Sequence, residues 1–549
     1  MFTHGVTLDT VRDEIQSPRL VRAYVQVFQY PCYSPMKFRS LVVSACTAAV
    51  LLSVLPSVSA VRATGDGDTS DTTMSKPGNA DAGTSVVWLV LDEAPLYALL
   101  KTDGSINEKR FPGFAELARH STWYRNTLAT AQRTTEAVPA LLDGKWPTLR
   151  NYPVYRDHPV NLFTVARNHK KLDVFQTITS LCPKGLCPNR IPVNQRHVRN
   201  QVQQFRNLIV RASTSTTATV HFSHLLLPHR PWRLSTESRV GKDLESDPRP
   251  GDILDRRRDS YQALLRQFVA TDALVLELIS ELKKSANWER TMLVVTTDHG
   301  ITFVPGESYR DEVNPNNPGT LEDIYRIPLF IKYPNQQSSA VNNCPVSSID
   351  ILPTVLSAAQ IPHRERFDGK DLTARCPRRT SRRVQWPYTG TDMTTNFSAI
   401  LKRVRYYNKW VSANGDVDDI HRVGRSGQLI GTRTPDTFKR STKVKWLNID
   451  RTSFQNIGSS SLSYVPSRVS GLVTTSTAFC TRCEGVLVVD NVVVASIPEL
   501  AGIQPSSTPQ YITTSLLTSG ITSSSGPAEL WIVDWTRSTP VFSRVGPSR

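Results

Sequence analysis

From residue 85 to about residue 372 the chain alternates two patterns. Short runs are mostly apolar and end abruptly in polar groups; longer stretches between them carry apolar residues at helical spacing. The clearest run, Ser85 to Leu91 (SVVWLVL), ends in Asp92-Glu93, and Met292 to Thr297 (MLVVTT) ends in Asp298-His299-Gly300. Ala218 to Leu227 (ATVHFSHLLL) runs into Pro228-His229. Unbroken apolar runs of this length predict strands buried on both faces. Leu172 to Thr177 and Pro328 to Lys332 read as shorter strands, and Trp123 to Leu128 as another. Pro112 to His120, Thr134 to Leu142 and Val198 to Val210 read as helices, with Thr134 near an N-cap. Asp252 to Lys284 is a long helical stretch with a break near its middle, striped by Leu264, Leu265, Phe268, Leu274, Leu278 and Leu282. Ile349 to Ala359 reads as a helix interrupted early by Pro353.

Strands alternating with helices predict an α/β fold with a mostly parallel central sheet flanked by helices. Ligands in such folds bind beyond the carboxyl ends of the strands. Asp92, His229 and Asp298-His299 all fall at such ends and are expected to share one rim. From about Thr380 the texture changes to Val, Thr, Ser and Tyr with frequent turn residues. That predicts a smaller β-rich C-terminal domain, with Leu530 to Asp534 as one strand. The expected organisation is a leader (1–60), a flexible linker (61–84), an α/β domain (85–375) and the β-rich domain (380–549).

The leader changes the picture of where the protein works. Lys37 and Arg39 precede an apolar stretch, Leu41 to Leu55, and Val58-Ser59-Ala60 offers a cleavage site. Met36 to Ala60 therefore reads as a secretory signal peptide, or an uncleaved membrane anchor, with Met36 as the natural start. Cysteine use agrees with export. Cys32 and Cys46 lie in the leader; the other six of eight form plausible pairs, Cys182 with Cys187, Cys344 with Cys376 and Cys480 with Cys483. The protein is expected outside the cytoplasm, secreted or held at the outer face of the cell membrane.

Hydrophobic residues make up 39% and charged residues 21%, as in soluble globular proteins. The net charge of +17 favours anionic partners. No zinc-finger spacing or RNP-like aromatic strand accompanies it, so nucleic acid is not expected. The densest basic run, Arg364 to Arg383, reads either as a solvated face or as a contact for an anionic envelope surface.

The strand ends carry the candidate chemistry. Asp92-Glu93 offers carboxylate oxygens to a hard divalent cation, or an ordinary acidic helix cap. Asp298-His299 sets a carboxylate beside an imidazole, with Gly300 allowing a tight turn. Thr134 opens a helix, where free N–H groups and the helix dipole favour an anionic ester. A metal touching its hydroxyl would make a nucleophile of it. His224 and His229, in HLLLPHRPW, add imidazoles that could bind substrate oxygens or protonate a leaving group.

In order along the chain, VVWLVLDE, TTEAVPALLDG, HLLLPHRPW, VVTTDHG, IPLFIKYP and SSIDILPTVLSAAQIP followed by FDGKDL resemble the sulfatase family of the alkaline phosphatase superfamily, over roughly Ser85 to Leu372. The resemblance implies a divalent metal ion (Mn, Mg, Ca or Zn) held by Asp92, Asp298 and His299, with Thr134 as nucleophile and further ligand. It places His229 on the substrate's anionic group, with His224 beside it and Glu93 as an extra ligand. Thr135 is the alternative nucleophile. Sulfatases place Cys or Ser, matured to formylglycine, within C/S-x-P-x-R; here Thr134 and Val138 hold those positions. Thr nucleophiles belong to phospho-transferring relatives such as lipoteichoic acid synthases. The expected activity is hydrolysis or transfer of phosphate or sulfate esters on a lipid- or glycan-linked substrate near the membrane. Sulfate hydrolysis without formylglycine and a catalytically inactive binding protein are the alternatives.

Overall fold

The structure is a computed structural model. It describes residues 83–547 except 149, 188–197, 237–256, 312–313, 315–316, 387–388, 395, 449–466, 479, 499, 501–502, 518–520 and 523. The leader and nearly all of the linker lie outside the described residues. Among the described residues no helix is long and apolar enough to cross a membrane.

A seven-stranded sheet forms the centre. Its order is Lys171–Phe175, Thr219–Pro228, Ser85–Asp92, Thr291–Thr297, Leu329–Lys332, Thr122–Tyr124, Ala340–Asn342. The first four strands are mutually parallel, Leu329–Lys332 runs against both neighbours, and the last two are parallel to each other. The sheet is thus mostly parallel, as the apolar runs predict. Every residue of Ser85–Asp92 is buried, and the two-residue period of the strand divides it between two layers. Val87, Leu89 and Leu91 face a layer holding the helix Arg257–Lys284. Val86, Trp88 and Val90 face a layer holding the helices Thr134–Asp143 and Ile351–Ala358.

Several elements differ in detail from the sequence pattern. The N-cap of Thr134–Asp143 is Arg133, and Thr134 is the first helical residue. Its hydroxyl is therefore not engaged in capping. Gly144, at φ +65°, ends that helix, and a Cβ there would lie 3.0 Å from Phe367. The long helix Arg257–Lys284 is unbroken, because its apolar stripe packs along its whole length. Pro353 does not interrupt Ile351–Ala358: it sits in the first turn, where its missing N–H has no intrahelical partner to lose. A 3-10 turn, Ser348–Asp350, precedes that helix. Trp123 to Leu128 divides into Thr122–Tyr124, in the central sheet, and Thr127–Leu128, in a small sheet with Val346–Ser347 and Arg326–Ile327.

Past residue 380 come a strand pair, Ser381–Trp386 with Thr389–Thr394, and a helix, Ser398–Tyr407. Ile400, Val404 and Tyr407 of that helix enter the first apolar layer, where Tyr407 stacks on Tyr97 at 4.3 Å. A second seven-stranded sheet follows, almost wholly antiparallel, with apolar clusters of its own on its two faces. It includes the strand Glu529–Asp534. Arg266 of the long helix donates to Ser467 O and Ser515 Oγ at its edge. All three expected cysteine pairs are bridged, with Cα–Cα separations of 5.1 to 6.0 Å.

Candidate active site

Two adjacent parallel strands end side by side and deliver Asp92 and Asp298. Between Leu91 and Asp92 the pairing with the neighbouring strand slips, and Glu93 adopts the left-handed φ of +57°. That conformation costs a non-glycine residue about 1 kcal/mol. The turn is held from the other strand: Thr297 Oγ1 donates to Leu91 O at 2.9 Å and accepts from Ala94 N at 3.2 Å. Asp298 Oδ1 accepts from the backbone N–H of His299 (2.7 Å) and Glu93 (3.3 Å), leaving Oδ2 turned to the shared space. Gly300 is required here because a Cβ would meet Asp323 O at 2.2 Å.

Thr134 arrives from the first turn of its helix, 6% exposed. Its Oγ1 lies 3.3 Å from Asp92 Oδ2 and 3.4 Å from His299 Nε2. His299 Nδ1 is 2.9 Å from Gly300 O. A carbonyl only accepts, so Nδ1 carries the proton and Nε2 presents a lone pair when the ring is neutral. His224, from the strand Thr219–Pro228, is wholly buried with Nε2 3.3 Å from Asp92 Oδ2 and Nδ1 2.9 Å from Thr177 Oγ1. His229 stands further out, its side chain 21% exposed; its Nε2 is 3.6 Å from Glu93 Oε1 and 4.0 Å from Asp92 Oδ1.

Burial opposes ionisation of all three carboxylates, and their neighbours decide the outcome. At Asp92 the nearby His229, His224 and His299 more than reverse the effect of burial and hold the carboxyl below its usual range. Glu93 is likewise lowered, with His229, Arg310, Arg230 and His299 outweighing burial. Asp298 is raised, by burial and then by the negative charge of Asp92.

Among the described residues, Asp92 Oδ1, Asp298 Oδ2, Glu93 Oε2 and His224 Nε2 are buried without a hydrogen-bond partner. Asp92, His224 and Asp298 offer ligand atoms all within 4.8 Å of one another. Acceptors crowded together in a buried pocket repel and are costly to leave unpaired. Oxygen and nitrogen donors so arranged fit a divalent cation.

Seven residues singled out in the sequence thus meet: Asp92, Glu93, Thr134, His224, His229, Asp298 and His299. Thr135 does not join them; its hydroxyl donates to Glu136 Oε2 at 2.7 Å. His224 lies among the metal-capable atoms, with Asp92 and Asp298. Arg310 was not anticipated. Its Nη1 lies 2.9 Å from both Glu93 Oε1 and His299 Nε2, bringing a fixed positive charge into the site. The residue follows the strand end by a loop, and no periodicity marks it.

A family model described as Sulfatase matches residues 185–361, about a third of the chain. An ulvan-active sulfatase of Formosa agariphila is 26% identical over 165 residues, 28% of this chain and 30% of that protein. Arylsulfatase K of Gallus gallus is 31% identical over 122 residues, 21% of this chain and 20% of that protein. A low-salt glycan biosynthesis sulfotransferase of Haloferax volcanii is 22% identical over 272 residues, 49% of this chain and 62% of that protein. The chain therefore spans less than two thirds of each of these relatives. Among solved structures, a phosphonate monoester hydrolase from Silicibacter pomeroyi superposes with a TM-score of 0.41 at 18% identity, over 55% of this chain and 79% of that one.

Proposed function

Because the chain carries a sulfatase-like domain of the alkaline phosphatase superfamily, we propose that it is an exported, metal-dependent ester hydrolase or transferase that attacks phosphate esters through Thr134. The observation that carries this reading is the set of buried, unpartnered acceptors of Asp92, Asp298, Glu93 and His224 beside the Thr134 hydroxyl. Asp92, Asp298, His299 and His224 would hold the divalent cation, with Thr134 Oγ1 beside them. The bound ion would neutralise the carboxylates and lower the pKa of an oxygen in contact with it.

Thr134 Oγ1 attacks phosphorus and the ester oxygen leaves on the opposite side. The hydroxyl proton passes toward Asp92 Oδ2, 3.3 Å away. His229 Nδ1 donates to Arg230 O, so Nε2 faces the site, and in the imidazolium form its proton can pass to the leaving oxygen. Arg310 steadies the non-bridging oxygens. Water or an acceptor alcohol then releases the phosphoryl group and restores the Thr134 hydroxyl.

Export is supported by the three disulfides and the signal-like leader. A lipid- or glycan-linked anionic ester in the cell envelope is the proposed substrate. Relatives named as sulfatases favour a second reading, sulfate-ester hydrolysis without formylglycine. The test is purified protein assayed on nitrophenyl phosphodiester, phosphate monoester and sulfate, with and without EDTA. Chelator-sensitive phosphate turnover is expected. Thr134→Ala should lower it by at least about 10³-fold, the ~4 kcal/mol of a lost nucleophile, and Thr135→Ala by under about twofold. Turnover of sulfate alone selects the second reading. No turnover and no bound metal makes the protein a binding protein, and a dead Thr135→Ala beside an active Thr134→Ala moves the nucleophile by one residue.

A further inference from the structure

We propose that Arg133 and Asp311 are positioning residues: their ion pair fastens the loop that carries Arg310 to the start of the helix that carries Thr134, and so sets where the cation stands relative to the hydroxyl. Arg133 Nε donates to Asp311 Oδ1 at 2.9 Å. Each partner is the covalent neighbour of a residue of the site. Arg133 is the N-cap of the helix Thr134–Asp143 and directly precedes Thr134, and Asp311 directly follows Arg310.

The two sides of this clasp are anchored differently. The segment before Thr134 is bound into the core. Ala129 N donates to Tyr325 O (2.8 Å), Thr130 N to Ser348 Oγ (3.2 Å), and Gln385 N to Thr130 O (2.8 Å). Gln132 is buried; it accepts from Tyr325 OH at 3.0 Å and donates through Nε2 to Asp311 O at 3.2 Å. On the other side, the loop is held before Arg310 by Tyr309, whose O accepts from Thr302 N at 2.9 Å and whose ring packs on Phe303 and Trp232. Past Arg310, Asp311 joins the loop to the core through Gln132 and Arg133. The guanidinium tip of Arg310 then meets Glu93 Oε1 and His299 Nε2.

The magnitudes separate positioning from stability. The Arg133 and Asp311 side chains are 39% and 44% exposed, and an ion pair so exposed contributes little to folding. Its effect falls on geometry instead. Arg310 Nη1 and Thr134 Oγ1 both reach His299 Nε2, at 2.9 and 3.4 Å, so cation and hydroxyl flank one spot. A misplacement of about 1 Å at such a spot costs up to ~10²-fold. The pair also cancels the charge of Asp311 next to Arg310, a carboxylate that would otherwise compete with an incoming anion for the guanidinium.

The test is a double-mutant cycle on the full chain with Mn²⁺ present, read as the dissociation constant for inorganic phosphate and as KM and kcat on nitrophenyl phosphodiester. The kinetic arm rests on the proposed ester activity; the phosphate arm does not. Arg133→Ala and Asp311→Ala are each expected to weaken phosphate binding about tenfold, and to lower kcat/KM equally, mostly through KM. In an Arg310→Ala background either change should matter by under about twofold, because the group they position is gone. Arg133→Glu/Asp311→Arg should restore binding to within about threefold of wild type. Glu277→Ala, which opens an exposed pair with Arg206, should bind phosphate like the wild type, and all variants should keep the wild-type urea midpoint. Wild-type binding by both single variants overturns the proposal. So does a loss that persists undiminished beside Arg310→Ala, since Arg133 or Asp311 then acts without Arg310. Coupled losses in phosphate binding without ester turnover would sink the proposed activity and leave the positioning standing; turnover with uncoupled losses does the reverse. A wild type that binds no phosphate overturns both.

Discussion

Two buried acidic sites lie near one another in this fold, the Asp323 backbone resting against Gly300 beside His299, and have opposite designs. Asp323 is wholly buried, yet each of its oxygens is occupied. It accepts from Arg403 Nε and Nη2 (both 2.7 Å), Tyr407 OH (2.7 Å) and Thr302 Oγ1 (2.8 Å). Asp92 and Asp298 are just as buried and keep one oxygen each without a hydrogen bond. Burial alone therefore does not mark function. The acid that finishes its hydrogen bonds holds the fold together, tying the helix Ser398–Tyr407 to the loop after the active-site strand. The acids that do not finish them are the ones the proposed cation would engage.

Substituting one acid from each site breaks the comparison most sharply. Asp298→Asn should lower turnover by about 10³-fold, or ~4 kcal/mol, while the metal-free protein melts no lower than wild type, because a repelling carboxylate is gone. Asp323→Asn should cost about 3 kcal/mol of stability by leaving Arg403 buried without its counter-charge, with turnover per folded molecule unchanged. Urea unfolding and steady-state rates on the two variants check both halves. If Asp298→Asn unfolds as readily as Asp323→Asn, both acids are structural.

Adding a divalent cation sharpens the same contrast with a smaller effect. At a hundredfold excess over its dissociation constant, Mn²⁺ should stabilise the wild type by about 2.7 kcal/mol, reversed by EDTA. Asp323→Asn should keep that gain and Asp298→Asn should lose it. A melting temperature that ignores both Mn²⁺ and EDTA would mean the unpaired acceptors hold no ion.

The contrast was half legible in the sequence. Asp92 and Asp298 stood out because two mostly apolar runs, Val86 to Leu91 and Met292 to Thr297, stop at an acid, as a buried strand leading into a polar space does. Thr134 was legible through its place at a helix start. The structure sharpens that place from cap to first turn, which frees the hydroxyl. Arg310 was not legible, since it reaches the site from a loop whose path no spacing encodes. Nor was the helix Ser398–Tyr407, whose apolar side is only Ile400, Val404 and Tyr407 among Lys402, Arg403 and Arg405. Those three side chains earn their positions by filling a layer built from residues three hundred positions earlier. Nothing in the sequence marked Asp323 as a buried, fully bonded acid, because Arg403 and Tyr407, which complete it, come to it only through tertiary contact.

A third buried acid tests the rule between these extremes. Asp272, on the long helix, accepts from the backbone N–H of Gly113 and Phe114 at 2.8 and 2.7 Å, and so finishes its hydrogen bonds at the start of the helix Pro112–Arg119. It has no cationic partner among the described residues, and burial pushes its carboxyl up from 3.8 to about 7 despite those bonds. A raised carboxyl binds its proton more tightly when folded than when unfolded. The stabilisation it gives is therefore full below pH 3.8 and is lost as pH climbs through about 7. Between pH 5 and pH 7 the wild type should lose about 2 kcal/mol that Asp272→Asn, which cannot ionise, does not lose. Urea midpoints of both proteins at the two pH values measure this directly. Equal pH dependence in the two would show that hydrogen bonds from a helix start suffice to keep a buried acid charged. The unpaired oxygens of Asp92 and Asp298 would then be the only feature that separates a waiting site from a finished one.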